Sequence, residues 1–223
     1  MSSILLVSSS PRGSASYSNR VAARVIRELR EANPQASVIV RDLASDPLPH
    51  IDEDFVAATR SPEGPRTQKQ RDDLARSDAL VDELLAADIV VIAAAMINFS
   101  VASTLKSWFD HIARAGRTFS YSGAGPKGLV TDKRVIIVSA SGGIYSSGAN
   151  ASFDFQIPWL KNMLAFLGMT DVEVIRVEGT AFGAEAAGEA LERATAHARN
   201  LVAARQALIA ELEQRRRVVE AAA

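Results

Sequence analysis

Hydroxyl side chains crowd one short stretch near the start of the chain, where an apolar run (residues 4–7) gives way to a helical pattern. The stretch is Ser8-Ser9-Ser10-Pro11-Arg12-Gly13-Ser14-Ala15-Ser16-Tyr17-Ser18-Asn19. The first backbone N–H groups of a helix lack intrahelical partners and carry partial positive charge, so they bind anions, and serine hydroxyls add neutral donors. The pattern predicts a phosphate site. The alternative is that Ser18 or Asn19 is an ordinary N-cap and the other serines form a turn.

The kind of phosphate follows from what this turn lacks. It has neither the glycine spacing of a dinucleotide fingerprint nor the Gly-Lys-Ser/Thr of a triphosphate loop. A single terminal phosphate therefore fits the turn better than a pyrophosphate or a metal-bound triphosphate.

Two later loops have the composition of a cofactor pocket. Ala95-Met96-Ile97-Asn98-Phe99-Ser100 combines apolar side chains with an amide and an aromatic ring, which suits a flat, partly apolar ring system. Ser139-Ala140-Ser141-Gly142-Gly143-Ile144-Tyr145 contains paired glycines, which permit positive φ and close backbone approach. Taken alone, the first loop could be a Ser100 N-cap with Phe99 packed on the core, and the second an ordinary turn.

Apolar runs alternating with helical segments indicate how the three loops come together. The sequence predicts strands at residues 4–7, 37–40, 88–95, 134–139 and 172–177, and helices at residues 18–32, 67–87, 101–115, 153–167 and 184–217. This alternation predicts a three-layer, doubly wound α/β fold, in one domain over residues 1–223, with a five-stranded parallel sheet of flavodoxin-like order 2-1-3-4-5. Ligands of such sheets bind beyond the carboxyl ends of the strands, where these loops meet. Flavin mononucleotide (FMN), with one phosphate and one flat ring, fits the combination.

Composition narrows the chemistry further. The 223 residues have a formal net charge of -1, which predicts no nucleic-acid partner and no membrane partner. The absence of Cys and the wide separation of His50, His111 and His197 exclude thiolate catalysis and predict no metal site. No apolar run reaches the ~18 residues of a membrane span and no signal pattern opens the chain, so we expect a soluble, cytoplasmic protein.

Two segments interrupt the strand and helix pattern. Residues 43–65, which contain Pro47, Pro49, Pro62 and Pro65, are longer than an ordinary βα connection and indicate a lid or a surface excursion. Residues 118–126 alternate aromatic and polar side chains before a Gly-Pro pair, which predicts a small hairpin or flap over the carboxyl edge of the sheet.

Several motifs together resemble one enzyme family over nearly the whole chain. They are Ser10 with Ser16-Tyr17-Ser18-Asn19, Arg41-Asp42-Leu43, Met96-Ile97-Asn98-Phe99-Ser100, Ala113-Arg114-Ala115-Gly116-Arg117-Thr118-Phe119-Ser120-Tyr121, Gly125-Pro126-Lys127-Gly128-Leu129-Val130 and Gly142-Gly143-Ile144. The chain resembles the FMN-dependent NADH-azoreductases, which are flavodoxin-like NAD(P)H:quinone oxidoreductases. The run from Ala113 to Tyr121 is the most specific of these motifs.

The resemblance implies site residues and an activity. The implied FMN contacts are Ser10, Ser16, Tyr17, Ser18, Met96, Ile97, Asn98, Phe99, Ala140, Ser141, Gly142 and Gly143. Tyr121, Phe119 and Phe99 are implied as the wall against which the substrate stacks, and Arg60 is implied near the nicotinamide cofactor. We expect two-step (ping-pong) hydride transfer from NADH or NADPH, through bound FMN, to quinones and aromatic azo compounds, with no catalytic side chain because the cofactor performs the chemistry.

Three positions depart from the family pattern. Ala95 stands where the family usually has Pro, Ile97 where it has Tyr, and Ser141 where it commonly has Arg. We expect FMN binding to survive these changes, and the reduction potential and substrate preference to differ. His111 is interpreted as a structural residue.

Other functions and assemblies stay open at this stage. The alternatives are a flavodoxin-type electron carrier, a flavin-binding protein without activity, and a flavin or chromate reductase. The resemblance implies a homodimer, to which Val101, Leu105, Trp108, Phe109 and Ile112 of the third helix could contribute, although the same side chains could equally fill the core of one chain.

Overall fold

The computed structural model describes residues 2–60, 64–123 and 125–221, and its centre is a parallel sheet of five strands. These strands are β1 (Ser3–Ser8), β2 (Ser37–Asp42), β3 (Ile89–Ala95), β6 (Arg134–Ala140) and β7 (Asp171–Val177). Their order is β2-β1-β3-β6-β7, and every neighbouring pair is parallel. The predicted order 2-1-3-4-5 numbered only the five strands of this sheet, so the labels differ because two further strands precede β6.

Those two further strands form the predicted hairpin. They are β4 (Phe119–Ser122) and β5 (Gly125–Gly128), paired antiparallel in a separate two-stranded sheet. Ala124, in the turn between them, lies outside the described residues.

Helices cover both faces of the five-stranded sheet. They are α1 (Tyr17–Ala32), α2 (Glu53–Arg60), α3 (Gln68–Ala86), α4 (Ser103–Ile112), α5 (Gln156–Leu167) and α6 (Ala184–Ala221). One core cluster joins the sheet to α1 and α6, and a second joins it to α3, α4 and α5. The layers are therefore helix, sheet and helix, as the alternating pattern predicts.

The interruption at residues 43–65 is more ordered than a loop. It contains α2, whose buried Phe55 and Ala58 pack inward, whereas the sequence analysis predicted no element there. Eight residues offer too few turns for a clear helical period, so the pattern missed it. Part of this prediction, including Pro62, lies outside the described residues.

The helix α4 is shorter than predicted and belongs to the core of this chain. It begins at Ser103 because residues 97–100 form a tight turn before it. It ends at Ile112, and the backbone N–H of Arg114 beyond it donates to the Thr118 hydroxyl oxygen at 2.8 Å. Leu105, Trp108, Phe109 and Ile112 are fully buried, so the interpretation of these four side chains as core is confirmed.

The boundaries of α5 and α6 also differ from the predictions. A 3-10 turn, Gly148–Phe153, precedes α5, and the Asp154 carboxylate accepts the first backbone N–H groups of that helix. The last helix runs to Ala221, and its side chains beyond Val202 are mostly exposed. Among the described residues, no helix is both long and apolar enough to cross a membrane.

Candidate functional site

A cleft of about 370 Å³ lies at the carboxyl edge of the sheet. The loops that follow β1, β3, β6 and β7 enclose it. Its lining residues are Ser10, Pro11, Arg12, Ser16, Tyr17, Ala95, Met96, Ile97, Ala140, Ser141, Gly142, Thr180 and Ala181. The three loops predicted to converge do so, and a fourth joins them.

The serine turn provides open backbone donors at one end of this cleft. Ser16 is the N-cap of α1, and its hydroxyl oxygen accepts the Asn19 N–H at 3.4 Å. This corrects the alternative that placed the cap at Ser18 or Asn19, because only Ser16 has the extended backbone of a cap residue (φ -73, ψ 129). The backbone N–H groups of Tyr17 and Ser18 have no acceptor in the described parts of the chain. They are the donors that an anion at a helix N-terminus uses.

The hydroxyls of the turn are buried around these donors. Ser10 is 1% exposed, and the hydroxyls of Ser16 and Ser18 lie 3.0 Å apart. Ser18 is fully buried behind Ser16 and does not line the cleft.

The loop after β3 is a tight turn. Ile97 and Ser100 exchange two backbone hydrogen bonds, at 2.9 and 3.0 Å, around Asn98 (φ 46) and Phe99 (φ 69). Two successive positive φ values are the signature of a type I′ turn. Met96 and Ile97 therefore line the cleft, whereas Asn98 and Phe99 lie outside its lining.

The loop after β6 is tied to the loop after β7. Ala181 N–H donates to Gly142 O at 3.0 Å, Gly179 N–H donates to Gly143 O at 3.1 Å, and the Thr180 hydroxyl donates to Ser141 O at 3.0 Å. A Cβ on Gly142 would lie 3.2 Å from that of Ala181, so the paired glycines permit close approach as predicted. Neither glycine adopts the positive φ that its missing side chain would permit.

The carboxylate of Glu178 holds the end of the loop after β6, at residues 145 and 146. Glu178 accepts the backbone N–H groups of Tyr145 and Ser146 at 2.8 and 2.9 Å, and Arg176 lies 3.4 Å from the same carboxylate. Glu178, Thr180 and Ala181 were not predicted from the sequence. The available signal was their position directly after the fifth strand of the sheet, at its ligand-binding edge.

The predicted substrate residues lie away from the cleft lining. Phe119 is 9% exposed and packs on Phe166, with ring centroids 4.7 Å apart, so it is a core residue of this chain. Tyr121 is 71% exposed on the hairpin, and Arg60 is the last residue of α2. Gly143 is also absent from the lining.

The most specific motif of the sequence positions the hairpin. The half-buried guanidinium of Arg114 donates to the Ser77 hydroxyl at 2.6 Å and to Asp78 at 3.1 Å, and partial burial lowers its pKa. The Thr118 hydroxyl donates to Ile112 O at 2.6 Å. These contacts fix the start of β4 against α3 and α4.

His111 is a structural residue, as interpreted from the sequence. It is 1% exposed, its Nε2 lies 3.0 Å from Pro49 O, and its ring meets Phe55 edge-on at 4.9 Å. Burial lowers the pKa of the imidazole, so it is neutral near pH 7. The histidine joins α4 to the segment that leads into α2.

Comparison with protein families agrees with this architecture. A family model described as "Flavodoxin-like fold" matches residues 2–202. A FMN-dependent NADH:quinone oxidoreductase from Mesorhizobium japonicum is 53% identical over 208 residues, which cover 93% of this chain and 99% of that protein. The chain belongs to this oxidoreductase family of the flavodoxin-like fold.

Other relatives and solved structures extend the match. A FMN-dependent NADH:quinone oxidoreductase from Agrobacterium fabrum is 49% identical over 204 residues, or 92% of this chain and 100% of that protein. A FMN-dependent NADH-azoreductase from Bacillus anthracis, solved in complex with FMN, has a TM-score of 0.81 and 26% identity, and covers 91% of this chain and 100% of that one.

The departures from the azoreductase pattern lie in the cleft of this flavodoxin-like chain. Ala95, Ile97 and Ser141 all line it. The Ser141 hydroxyl donates to Gly143 O at 2.8 Å, so it orders its own loop. These three side chains are small or apolar, and the wall they form is neutral.

Proposed function

We propose that this chain is an FMN-dependent NADH:quinone oxidoreductase that also reductively cleaves aromatic azo compounds. One observation above all supports the proposal: the N-terminus of α1, where the N–H groups of Tyr17 and Ser18 have no acceptor in the described parts of the chain, borders a cleft that is also lined by apolar side chains, among them Met96 and Ile97. The polar end suits a phosphate and the apolar walls suit a flat ring, in one cavity large enough for a cofactor.

The residues present fit FMN. We propose that Ser10, Ser16, Tyr17 and Ser18 hold its phosphate through hydroxyl and backbone donors. Met96, Ile97, Ala140, Ser141, Gly142, Thr180 and Ala181 would contact its ring and ribityl chain; Asn98, Phe99 and Gly143 would hold the loops around it. The oxygens of Ser10 and Ser16 are neutral, so they contribute hydrogen bonds without repelling a dianion.

When bound, FMN would supply the redox chemistry between NADH and a quinone or azo acceptor. The protein's part is to bind and orient the reactants and to exclude water with apolar walls. No acid, base or nucleophile among the cleft residues is needed, because water can supply the protons that complete reduction of the acceptor.

We further propose a homodimer in which a second chain completes the substrate site. Large apolar side chains are exposed around the cleft, and we call them the rim patch: Ile97, Phe99, Ile144, Phe153, Phe155 and Phe182. Such a patch is typical of an interaction surface. In the dimer, Tyr121 and Arg60 would contact either the substrate bound at the other chain's cleft or the nicotinamide dinucleotide. Light scattering should give twice the chain mass of 23.8 kDa.

Steady-state kinetics tests the proposed reaction. FMN-loaded protein should oxidise NADH with a benzoquinone and with an azo dye, and double-reciprocal plots at several acceptor concentrations should be parallel, as a ping-pong sequence requires. Turnover with free flavin alone would favour a flavin reductase. Loss of NADH oxidation with every acceptor would favour an electron carrier.

A further inference from the structure

A second cavity, of about 650 Å³, lies at the opposite edge of the sheet from the cleft, and we call it the amino-edge cavity. It is lined by Ile4, Ile89 and Arg134, which stand at or next to the first residues of β1, β3 and β6. Neighbouring parallel strands begin at the same edge of a sheet, so this cavity and the cleft are separated by the length of the strands. For the seven residues of β3 that length is about 20 Å.

Most of the lining of the amino-edge cavity is apolar. Leu29, near the end of α1, and Val202, on α6, form part of its walls together with Ile4 and Ile89. Ile209, further along α6, also lines it and is 48% exposed. A ligand in the cavity would therefore cover apolar surface that water now contacts.

Arg134 is the buried cation of this cavity. It is 9% exposed, and its Nε and Nη2 both lie 2.8 Å from Oε2 of Glu173. Its Nη1 has no acceptor among the described residues. Buried donors normally have a partner, and a guanidinium has enough N–H groups to bind a second acceptor beside its carboxylate. Arg134 can thus donate to an oxygen atom of a ligand in the cavity that it lines.

Arg205 adds a second cation beside Arg134. Both residues line the amino-edge cavity and also a neighbouring cavity of about 410 Å³, so they lie in the wall between the two. The Arg205 Nη2 donates to Asp171 at 2.7 Å, whereas its Nε and Nη1 have no acceptor in the described part of the chain. Neither Asp171 nor Glu173 lines the larger cavity, and no other carboxylate of the described residues does. The cavity combines apolar walls with a cationic end.

We propose that the amino-edge cavity binds a small amphipathic carboxylate. Arg134 and Arg205 would donate to the carboxylate through charge-assisted hydrogen bonds, which are stronger than those to a neutral oxygen. An apolar body of about ten carbon atoms would lie against Leu29, Ile89 and Ile209, and the cavity volume is within the range of small-molecule sites. The site is distinct from the cleft, and the inference does not depend on the proposed function.

Calorimetric titration with decanoate, below its micelle concentration, tests the proposal. Decanol and decyltrimethylammonium are the comparison ligands, because they keep the apolar body and replace the head group. We expect decanoate to bind at least about 10-fold more tightly than decanol, and the cation not to bind. Added FMN should leave the decanoate affinity unchanged, because the two sites lie at opposite edges of the sheet. Backbone amides of residues 203–210 should exchange hydrogen more slowly with decanoate present.

Two pairs of variants on α6 locate the site. Ile209→Asp places a negative charge in the cavity and should abolish decanoate binding. Leu208→Asp is its control, because Leu208 is 43% exposed on the same helix and does not line the cavity. Arg205→Gln should weaken decanoate binding about 10-fold. Arg193→Gln is its control, because Arg193 also pairs with one carboxylate on the surface of α6, and it should change nothing.

Four outcomes would overturn the inference. The first is that decanoate does not bind, and the second is that decanol binds as tightly. The third is an equal loss of affinity in Ile209→Asp and Leu208→Asp, which would mean a diffuse charge effect. The fourth is a smaller mass of Ile209→Asp than of wild type by light scattering, which would assign the cavity to a contact between two copies of the chain.

Discussion

Ile97 and Ser100 exchange two backbone hydrogen bonds across a turn whose central residues both have positive φ. The turn matters because it directs Ile97 into the cleft and Phe99 to the rim patch. It is held in place by Phe155, whose N–H donates to Phe99 O at 3.1 Å. Asn tolerates the left-handed region better than most residues, and Phe does not, so this loop stores backbone strain at the site.

The turn predicts that two substitutions of Asn98 differ in their effect on stability. We expect Asn98→Gly to leave the free energy of unfolding nearly unchanged and Asn98→Val to lower it by about 1–2 kcal/mol, because a β-branched residue clashes at φ 46. Urea unfolding of both variants measures the difference. Equal stability of the two would show that the turn is not held as described.

Arg114 should stabilise the fold far more than Arg117, which belongs to the same motif from Ala113 to Tyr121. Arg114→Ala removes a half-buried guanidinium, the donor to the oxygen of the buried Ser77 hydroxyl and one of the two arginine partners of Asp78, and we expect a loss of about 2 kcal/mol. Arg117→Ala is the control, because Arg117 pairs with Asp78 and the 68% exposed Asp82, and it should cost less than about 1 kcal/mol. Thermal unfolding decides between them, and equal losses would contradict the structural role assigned to Arg114.

Acid should destabilise the protein through His111. Burial holds the pKa of this imidazole below the ordinary 6.5, so below about pH 6.5 the unfolded chain binds a proton that the folded chain does not. Stability should therefore fall as the pH is lowered from 6.5 to the depressed folded value.

Denaturant unfolding as a function of pH measures this effect. In the His111→Gln variant, the free energy of unfolding should no longer fall over this pH range. In the variant of the exposed His197, His197→Gln, it should fall as in wild type. A slope that persists in His111→Gln would assign the effect to other groups.

Glu178 should support flavin binding without touching the flavin. Glu178→Ala removes the acceptor for two backbone N–H groups beyond Gly143, and we expect about 10-fold weaker FMN binding because the loop loses its fixed course. Glu189→Ala removes an exposed carboxylate of α6 whose one ion-pair partner among the described residues is the exposed Arg193, and it should change nothing. Unchanged FMN affinity in Glu178→Ala would refute this positioning role.

Long apolar runs made the sheet predictable. The strands at residues 88–95 and 134–139 are nearly continuous in apolar residues because a central parallel strand is buried on both faces, and both lie in the structure within two residues of their predicted bounds. The short helix α2 has no comparable signal. Its position depends on tertiary contacts of Phe55 and His111 that no local pattern reveals.

The site was predictable only in part. The serine turn and the loops after β3 and β6 were identified, because helix N-termini and strand ends have local signatures. Thr180 and Ala181 were missed because their loop resembles an ordinary turn and reaches the cleft only through hydrogen bonds to residues 141–143. Phe119 was placed in the substrate wall from the family resemblance, and its burial against Phe166 has no local signal in the alternating segment.

Anaerobic reduction of the FMN-loaded protein measures the proposed transfer of electrons from NADH through the flavin to a quinone. The visible flavin spectrum is recorded before NADH, after a stoichiometric amount of NADH, and after a following addition of benzoquinone. We expect NADH to bleach the flavin absorption and quinone to restore it. Bound flavin that NADH fails to bleach, or a protein that binds no flavin, would contradict the proposed oxidoreductase function.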